Sequence, residues 1–121
     1  MLIDTNIIIA ALQAEKKTVI ALSNWKQESR PLYISSLTIA ETLALPSLTE
    51  SDLLRIRAFL HNFISISFDD TVAEVAALLR RQYHLEIPDA GIAATALLRN
   101  VPLVTRDRRF KTIREITVLS I

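Results

Sequence analysis

Cysteine is absent from this 121-residue chain and glycine occurs once. Without thiols there is no disulfide, no thiolate metal site and no cysteine nucleophile, and a reducing compartment is compatible with the sequence. Phosphate-cradling loops and dinucleotide-binding turns need several glycines for close backbone approach, so the lone Gly91 excludes both. His61 and His84 are far apart, and no Gly-x-Ser-x-Gly pattern accompanies them. This argues against a hydrolase triad and a histidine zinc site. The uncharged runs Thr5 to Ala14 and Pro31 to Ala40 reach only about half the length a bilayer span requires. The N-terminus places Asp4 within its apolar stretch and lacks the basic-then-apolar order of a signal peptide, so a cytoplasmic protein is expected. With a net charge of +1, composition carries no global footprint for a polyanion, and nucleic-acid contact has to come from local clusters. Apolar residues, in contrast, are abundant at 50%. Part of that surface is expected to serve a partner or a second copy in a homodimer. The length predicts one domain spanning residues 1–121.

Short apolar runs alternate with helical periodicity along the chain. Met1-Leu2-Ile3 is too short for a helix, and Asp4-Thr5-Asn6 ends it, which predicts a buried central strand delivering side chains to its carboxyl end. Thr5 or Asn6 can cap a first helix to about Ala14, and Val19, Leu22 and Trp25 mark a second over Lys16–Glu28. Pro31–Ser35 reads as a strand, Ser36 as the cap of a helix running to Leu45, and Thr49 as the cap of one over Ser51–Phe63. Ile64–Phe68 alternates as a strand, and Asp69 or Asp70 caps a helix to Tyr83. Pro88-Asp89 opens an apolar helix to Leu98. Val101–Thr105 and then Thr117–Ile121 are the remaining strand candidates. This alternation predicts an α/β fold, a three-layer sandwich with a mostly parallel twisted sheet of four to five strands flanked by helices. In such sheets ligands bind at the carboxyl edge of the strands.

Four acids are candidates for that edge: Asp4, Glu41, Asp89 and Asp107. Each of three has a plain structural explanation. Asp4 suits a helix cap, Asp89 gains from a helix dipole, and Asp107 suits a solvated turn beside arginines. Glu41 lies in Leu37-Thr38-Ile39-Ala40-Glu41-Thr42-Leu43, apolar nearly all round, so its carboxylate is expected to be poorly solvated and to require a cation. No basic residue lies within a turn of it. Scattered carboxylates without histidine or cysteine suit magnesium or manganese, one or two ions, and such clusters support phosphodiester hydrolysis.

Four motifs carry a family resemblance over essentially the whole chain. They are Leu2-Ile3-Asp4-Thr5-Asn6, Ser36-x-Thr38-Ile39-Ala40-Glu41, Pro88-Asp89-Ala90-Gly91-Ile92-Ala93-Ala94-Thr95-Ala96, and Leu103-Val104-Thr105-Arg106-Asp107-x-x-Phe110. In order and spacing they resemble the PIN-domain ribonucleases, and in particular the VapC type of toxin from toxin–antitoxin pairs. The resemblance implies that Asp4, Glu41, Asp89 and Asp107 are catalytic metal ligands, directly or through water. It also implies that Thr5 and Asn6 hold Asp4 and that Thr105 supplies a nearby hydroxyl. RNA substrate, a small antitoxin partner and dimerisation are implied as well. The chain departs from the family pattern after Glu41, where Leu45-Pro46-Ser47 replaces a common glycine. Asp107 occupies the position where many relatives carry Asn.

Arg106, Arg108, Arg109, Lys111 and Arg114 form the one dense basic cluster. It reads either as a solvated face or as a phosphate clamp beside Asp107 for the RNA backbone. Two rivals to a nuclease are a degenerate PIN scaffold that only binds RNA or protein, and a receiver-like signalling domain. The latter requires an acidic pair after the first strand and a late Lys-Pro, which Asp4 and Val104-Thr105-Arg106-Asp107 do not offer.

Overall fold

The computed structural model describes all residues from Met1 to Ile121. Five short strands, β1 Leu2–Ile3, β2 Tyr33–Ser35, β3 Ile64–Ile66, β4 Leu103–Val104 and β5 Val118–Leu119, form one sheet in the order β3-β2-β1-β4-β5. Every neighbouring pair is parallel. Six helices connect them: α1 Thr5–Leu12, α2 Lys16–Gln27, α3 Ser36–Leu43, α4 Glu50–Leu60, α5 Asp70–Tyr83 and α6 Ile87–Arg99. The expected α/β architecture is therefore present, with five strands and a wholly parallel sheet.

Successive side chains on a strand point to opposite faces, and two separate cores follow from that alternation. Leu2 and Leu103 pack on one side with Val72, Ala76, Leu79 and the small residues of α6, which include Ala90, Ala93 and Ala94. Ile3, Ile34 and Val104 pack on the other with Ile7, Ile8, Leu22, Ile56 and Leu60 from α1, α2 and α4. Each fully buried Leu or Ile contributes about 1.5–3 kcal/mol relative to exposure, so both faces of a two-residue strand such as β1 contribute to the fold.

Gly91 has a packing role in this arrangement. A Cβ added there would lie 2.5 Å from Leu37 Cδ1 and 2.8 Å from Phe68 Cε2. Only glycine lets the first turns of α6 sit this close to α3, and that approach carries the neighbouring Asp89 toward the other acids.

Several element boundaries differ from the sequence expectation for local hydrogen-bonding reasons. Of the three caps the sequence offers for α1, Asp4 is the one used, accepting from the Thr5 amide. Ser35 caps α3, and Ser36 Oγ instead accepts from the Phe68 amide at 2.9 Å, tying α3 to the segment after β3. The Thr49 cap is present and forms a capping box with Asp52, and Asp69 caps α5. The α6 helix starts at Ile87, which puts Asp89 in its first turn. A short 3₁₀ turn over Arg108–Thr112, capped by Asp107, is new relative to the sequence reading. It has no apolar periodicity of its own beyond the buried Phe110. No helix is long and apolar enough to cross a membrane.

Candidate active site

The carboxyl ends of β1, β2 and β4 lie side by side because the strands are parallel and adjacent. Each is followed immediately by a segment carrying a candidate residue: Asp4 after β1, Glu41 on α3 after β2, and Asp107 after β4. Asp89 reaches the same place from the start of α6, as its hydrogen bond to Arg109 shows.

Asp4 is the fixed point of the cluster. It is 7% exposed. Its Oδ1 accepts from the Thr5 amide at 2.8 Å, and its Oδ2 accepts from Thr105 Oγ1 at 2.7 Å and Asn6 Nδ2 at 3.2 Å. Thr105 has no hydrogen-bonding capacity to spare. It donates its one proton to Asp4 and accepts from Asn6 Nδ2 at 3.1 Å and from the Asp107 amide at 3.0 Å. Asn6 in turn accepts at Oδ1 from the Arg106 amide. Thr5, Asn6 and Thr105 all donate to Asp4, and Thr105 also connects it to the loop bearing Asp107. All of these donors are neutral. Burial pushes the Asp4 carboxyl above its ordinary value; the bonds from Thr105 and Thr5 oppose that, and the negative charges of Glu41 and Asp89 add to it.

Glu41 requires a correction. Its side of α3 is exposed, so it is not the poorly solvated carboxylate that the apolar run suggested. The helix is short and buries chiefly Thr38 and Thr42, two hydroxyl residues. Thr42 Oγ1 satisfies itself on the Thr38 carbonyl at 2.7 Å. The argument that burial alone forces a cation onto Glu41 therefore fails. What ties Glu41 to the site is a relay: Thr5 Oγ1 lies 3.0 Å from both Glu41 Oε1 and Thr38 Oγ1. An ionised carboxylate only accepts, so Thr5 donates to Glu41 and accepts from Thr38.

Asp89 and Asp107 form the outer part of the cluster around an arginine. Arg109 Nη2 lies 3.0 Å from Asp89 Oδ2 and 2.5 Å from Asp107 Oδ2, while Arg109 Nε lies 3.0 and 3.1 Å from the two Asp107 oxygens. Burial pushes Asp89 up, opposed by the Arg109 charge and reinforced by Asp107. Hydrogen bonds from Arg109 hold Asp107 below the ordinary carboxylate range. As they stand, no three acids converge closely enough to hold a metal ion.

The basic cluster separates into parts with different tasks. Arg106 turns away from the acids to an ion pair with Glu15 and a 2.9 Å bond to the buried Thr18. This anchors the Thr105–Asp107 loop to the start of α2. Arg109 is engaged with Asp89 and Asp107, leaving Arg108 and Lys111 as exposed cations of the 3₁₀ turn. Of the four cations read as a phosphate clamp, Arg106 and Arg109 thus have acidic partners within the chain. Sequence reasoning missed the roles of Glu15, Thr18 and Thr38; the Asp107-x-Arg109 spacing was visible, but only the 3₁₀ turn folds that arginine back over its aspartate.

Comparison with known proteins agrees with this fold. The PIN-domain profile matches residues 1–116. No curated protein matches the sequence. Among solved structures, a chain of a toxin–antitoxin complex from Klebsiella pneumoniae is 32% identical with a TM-score of 0.83, covering 98% of this chain and 94% of that one. A chain of FitAcB from Neisseria gonorrhoeae is 27% identical with a TM-score of 0.76, covering 98% and 95%. A chain of VapBC2 from Rickettsia felis, bound to a promoter DNA fragment, is 22% identical with a TM-score of 0.85, covering 98% and 96%, and shows the shared fold. With a family match over nearly its full length, and with the four motifs at the carboxyl edge of one parallel sheet, this chain belongs to the PIN-domain family.

Proposed function

We propose that this chain is a magnesium- or manganese-dependent endoribonuclease and the toxin of a toxin–antitoxin pair. The observation that carries the reading is Asp4, a carboxylate buried at the sheet's carboxyl edge, burdened by the charges of Glu41 and Asp89 and contacted only by neutral donors. The donor set is all oxygen, which suits a hard divalent cation. Asp4, Glu41, Asp89 and Asp107 are the residues to hold one or two such ions. Glu41, Asp89 and Asp107 retain enough exposure to adjust toward the fixed Asp4.

When bound, the metal supplies an activated water and charge stabilisation for the phosphate in transfer. The rest is the chain's own work. Thr5, Asn6 and Thr105 fix Asp4, and the Thr38–Thr5 relay aims Glu41 at the same edge. Arg108 and Lys111 contact the RNA backbone without reading sequence. Single-stranded RNA should be cut to 5′-phosphate and 3′-hydroxyl ends with magnesium or manganese, and chelation should stop the reaction. Asp4→Asn or Asp89→Asn should lose most activity with an unchanged circular dichroism spectrum. Undiminished cleavage by either variant, free of contaminating nuclease, would overturn the assignment.

The antitoxin assignment draws on the relatives described as toxin–antitoxin complexes. An apolar groove lined by Val19, Leu22, Leu32, Phe59 and Phe63 offers such a partner a binding surface on α2 and α4. The homodimer is proposed on the apolar excess, part of which is exposed on several separate elements, as at Ile20, Leu54, Leu78 and Leu98. Expression alone should arrest growth and Glu41→Gln should relieve it; growth indifferent to an active enzyme would indicate an RNA-processing role instead. A silent scaffold is the second reading, favoured by the absence of a closed carboxylate cluster. It predicts no cleavage by the wild type with either metal.

A further inference from the structure

We infer that Arg109 is a built-in counter-cation of this site, holding Asp89 and Asp107 in the metal-free protein and competing with a divalent ion for the same oxygens. The inference rests on the metal-site reading above and adds a named internal competitor to it.

One nitrogen, Arg109 Nη2, bonds Oδ2 of both Asp89 and Asp107. The two oxygens that converge on it come from different elements and are opposed across a single cation. The local fold creates this arrangement. Asp107 caps the 3₁₀ turn by accepting from the Arg109 amide at 3.0 Å, and the Arg109 side chain then folds back onto the same carboxylate. The other arginines of the run do not compete for the place, since Arg106 is tied to Glu15 and Thr18, and Arg108 has no acidic partner.

The guanidinium is also built to leave. Its side chain is 64% exposed, whereas those of Asp89 and Asp107 are 27% and 23% exposed. Swinging out returns the arginine to water without stranding a buried donor, and an exposed ion pair is held weakly. A divalent ion held by the same carboxylates would offer twice the charge in a more compact form. Arg109 thus keeps two like charges together when no metal is bound and raises the metal concentration needed to displace it.

The test is calorimetric titration of manganese into the metal-free full chain, comparing wild type, Arg109→Gln and Arg109→Lys. Removing the competitor should tighten manganese binding about tenfold in Arg109→Gln. Arg109→Lys keeps the charge but loses the planar fork, and should bind about threefold more tightly than wild type. A thermal melt in chelator gives a readout independent of catalysis. Arg109→Gln should melt below wild type there, because Asp89 and Asp107 lose their shared cation, and should show the larger rise on adding manganese. Manganese binding that is intact in wild type and no tighter in Arg109→Gln would overturn the inference while leaving the metal site standing. If Arg109→Gln does not fold, the comparison of Arg109→Lys with wild type decides, and equal affinity overturns the inference. No manganese binding by wild type or variants would overturn the metal-site reading and this inference together.

Discussion

The inner and outer halves of the site solve the same electrostatic problem in opposite ways. Around Asp4 the chain has buried the carboxylate and surrounded it with neutral donors from Thr5, Asn6 and Thr105, so position is fixed while charge stays uncompensated. Around Asp89 and Asp107 it has left the carboxylates partly exposed and supplied a full positive charge from Arg109. The buried network is held by Thr105, whose hydrogen-bonding capacity is fully used, while a partly exposed ion pair is exchangeable because water can replace either partner. In the proposed metal site, the inner half sets the position of the cation. The outer half is where the site can adjust.

The largest change should come from breaking the inner half at Thr105. Thr105→Val removes the donor to Asp4 and the acceptor for Asn6 and for the Asp107 amide at nearly constant volume. A buried carboxylate oxygen losing its shortest bond should cost about 1–3 kcal/mol, measured as a lower denaturant midpoint. Activity should fall as well, because Asp4 and the Asp107 loop lose their common tie. A wild-type denaturation curve for this variant would show that the inner network does not fix the site.

Gly91→Ala perturbs the junction between the halves. Its Cβ would stand 2.5 Å from Leu37 and 2.8 Å from Phe68, so α6 must shift or both side chains must move. Overpacking of this kind costs about 1–3 kcal/mol, here toward the lower end because Leu37 and Phe68 are only partly buried. The displacement falls on the turn carrying Asp89, so metal affinity should drop while Asp4 remains in place. An unchanged melting temperature and metal affinity would indicate that α6 docks with room to spare.

The smallest effect is expected outside both halves. Arg108→Gln and Lys111→Gln touch no acid and should leave the melting temperature within experimental error. Their RNA affinity should fall and become less dependent on salt, since each removes one phosphate contact. A salt dependence identical to wild type would remove the 3₁₀ turn from the RNA path.

Much of this contrast was legible in the sequence, but unequally. The alternation of apolar runs predicted the parallel α/β sheet because buried strands and capped helices leave local signatures. The motifs singled out Asp4, Glu41, Asp89 and Asp107, of which the fold ties Asp4 to Glu41 through Thr5 and Asp89 to Asp107 through Arg109. The surroundings of those acids were less legible. The apolar neighbours of Glu41 suggested burial, yet an eight-residue helix at the sheet edge leaves one side open to water. The run from Arg106 to Lys111 read as one patch, because composition does not reveal that Arg106 points to Glu15 and Arg109 to Asp89. Those partners are distant in sequence and meet only through the fold.

The most direct test is whether Asp4 is the shared anchor of a divalent-metal site. Thermal melts of wild type and Asp4→Asn, each in chelator and in excess magnesium, measure this without requiring an RNA target. Asn retains an oxygen for the Thr5 amide but meets the Thr105 and Asn6 donors with its NH2, so the comparison is each protein's own magnesium increment and not its absolute melting temperature. A metal bound only by the native state adds RT ln(1 + [L]/Kd), about 2.7 kcal/mol at a hundredfold excess over Kd. Wild type should therefore melt several degrees higher in magnesium than in chelator, and Asp4→Asn should lose most of that increment. A wild type indifferent to magnesium, or an Asp4→Asn variant stabilised to the same extent, would contradict the claim.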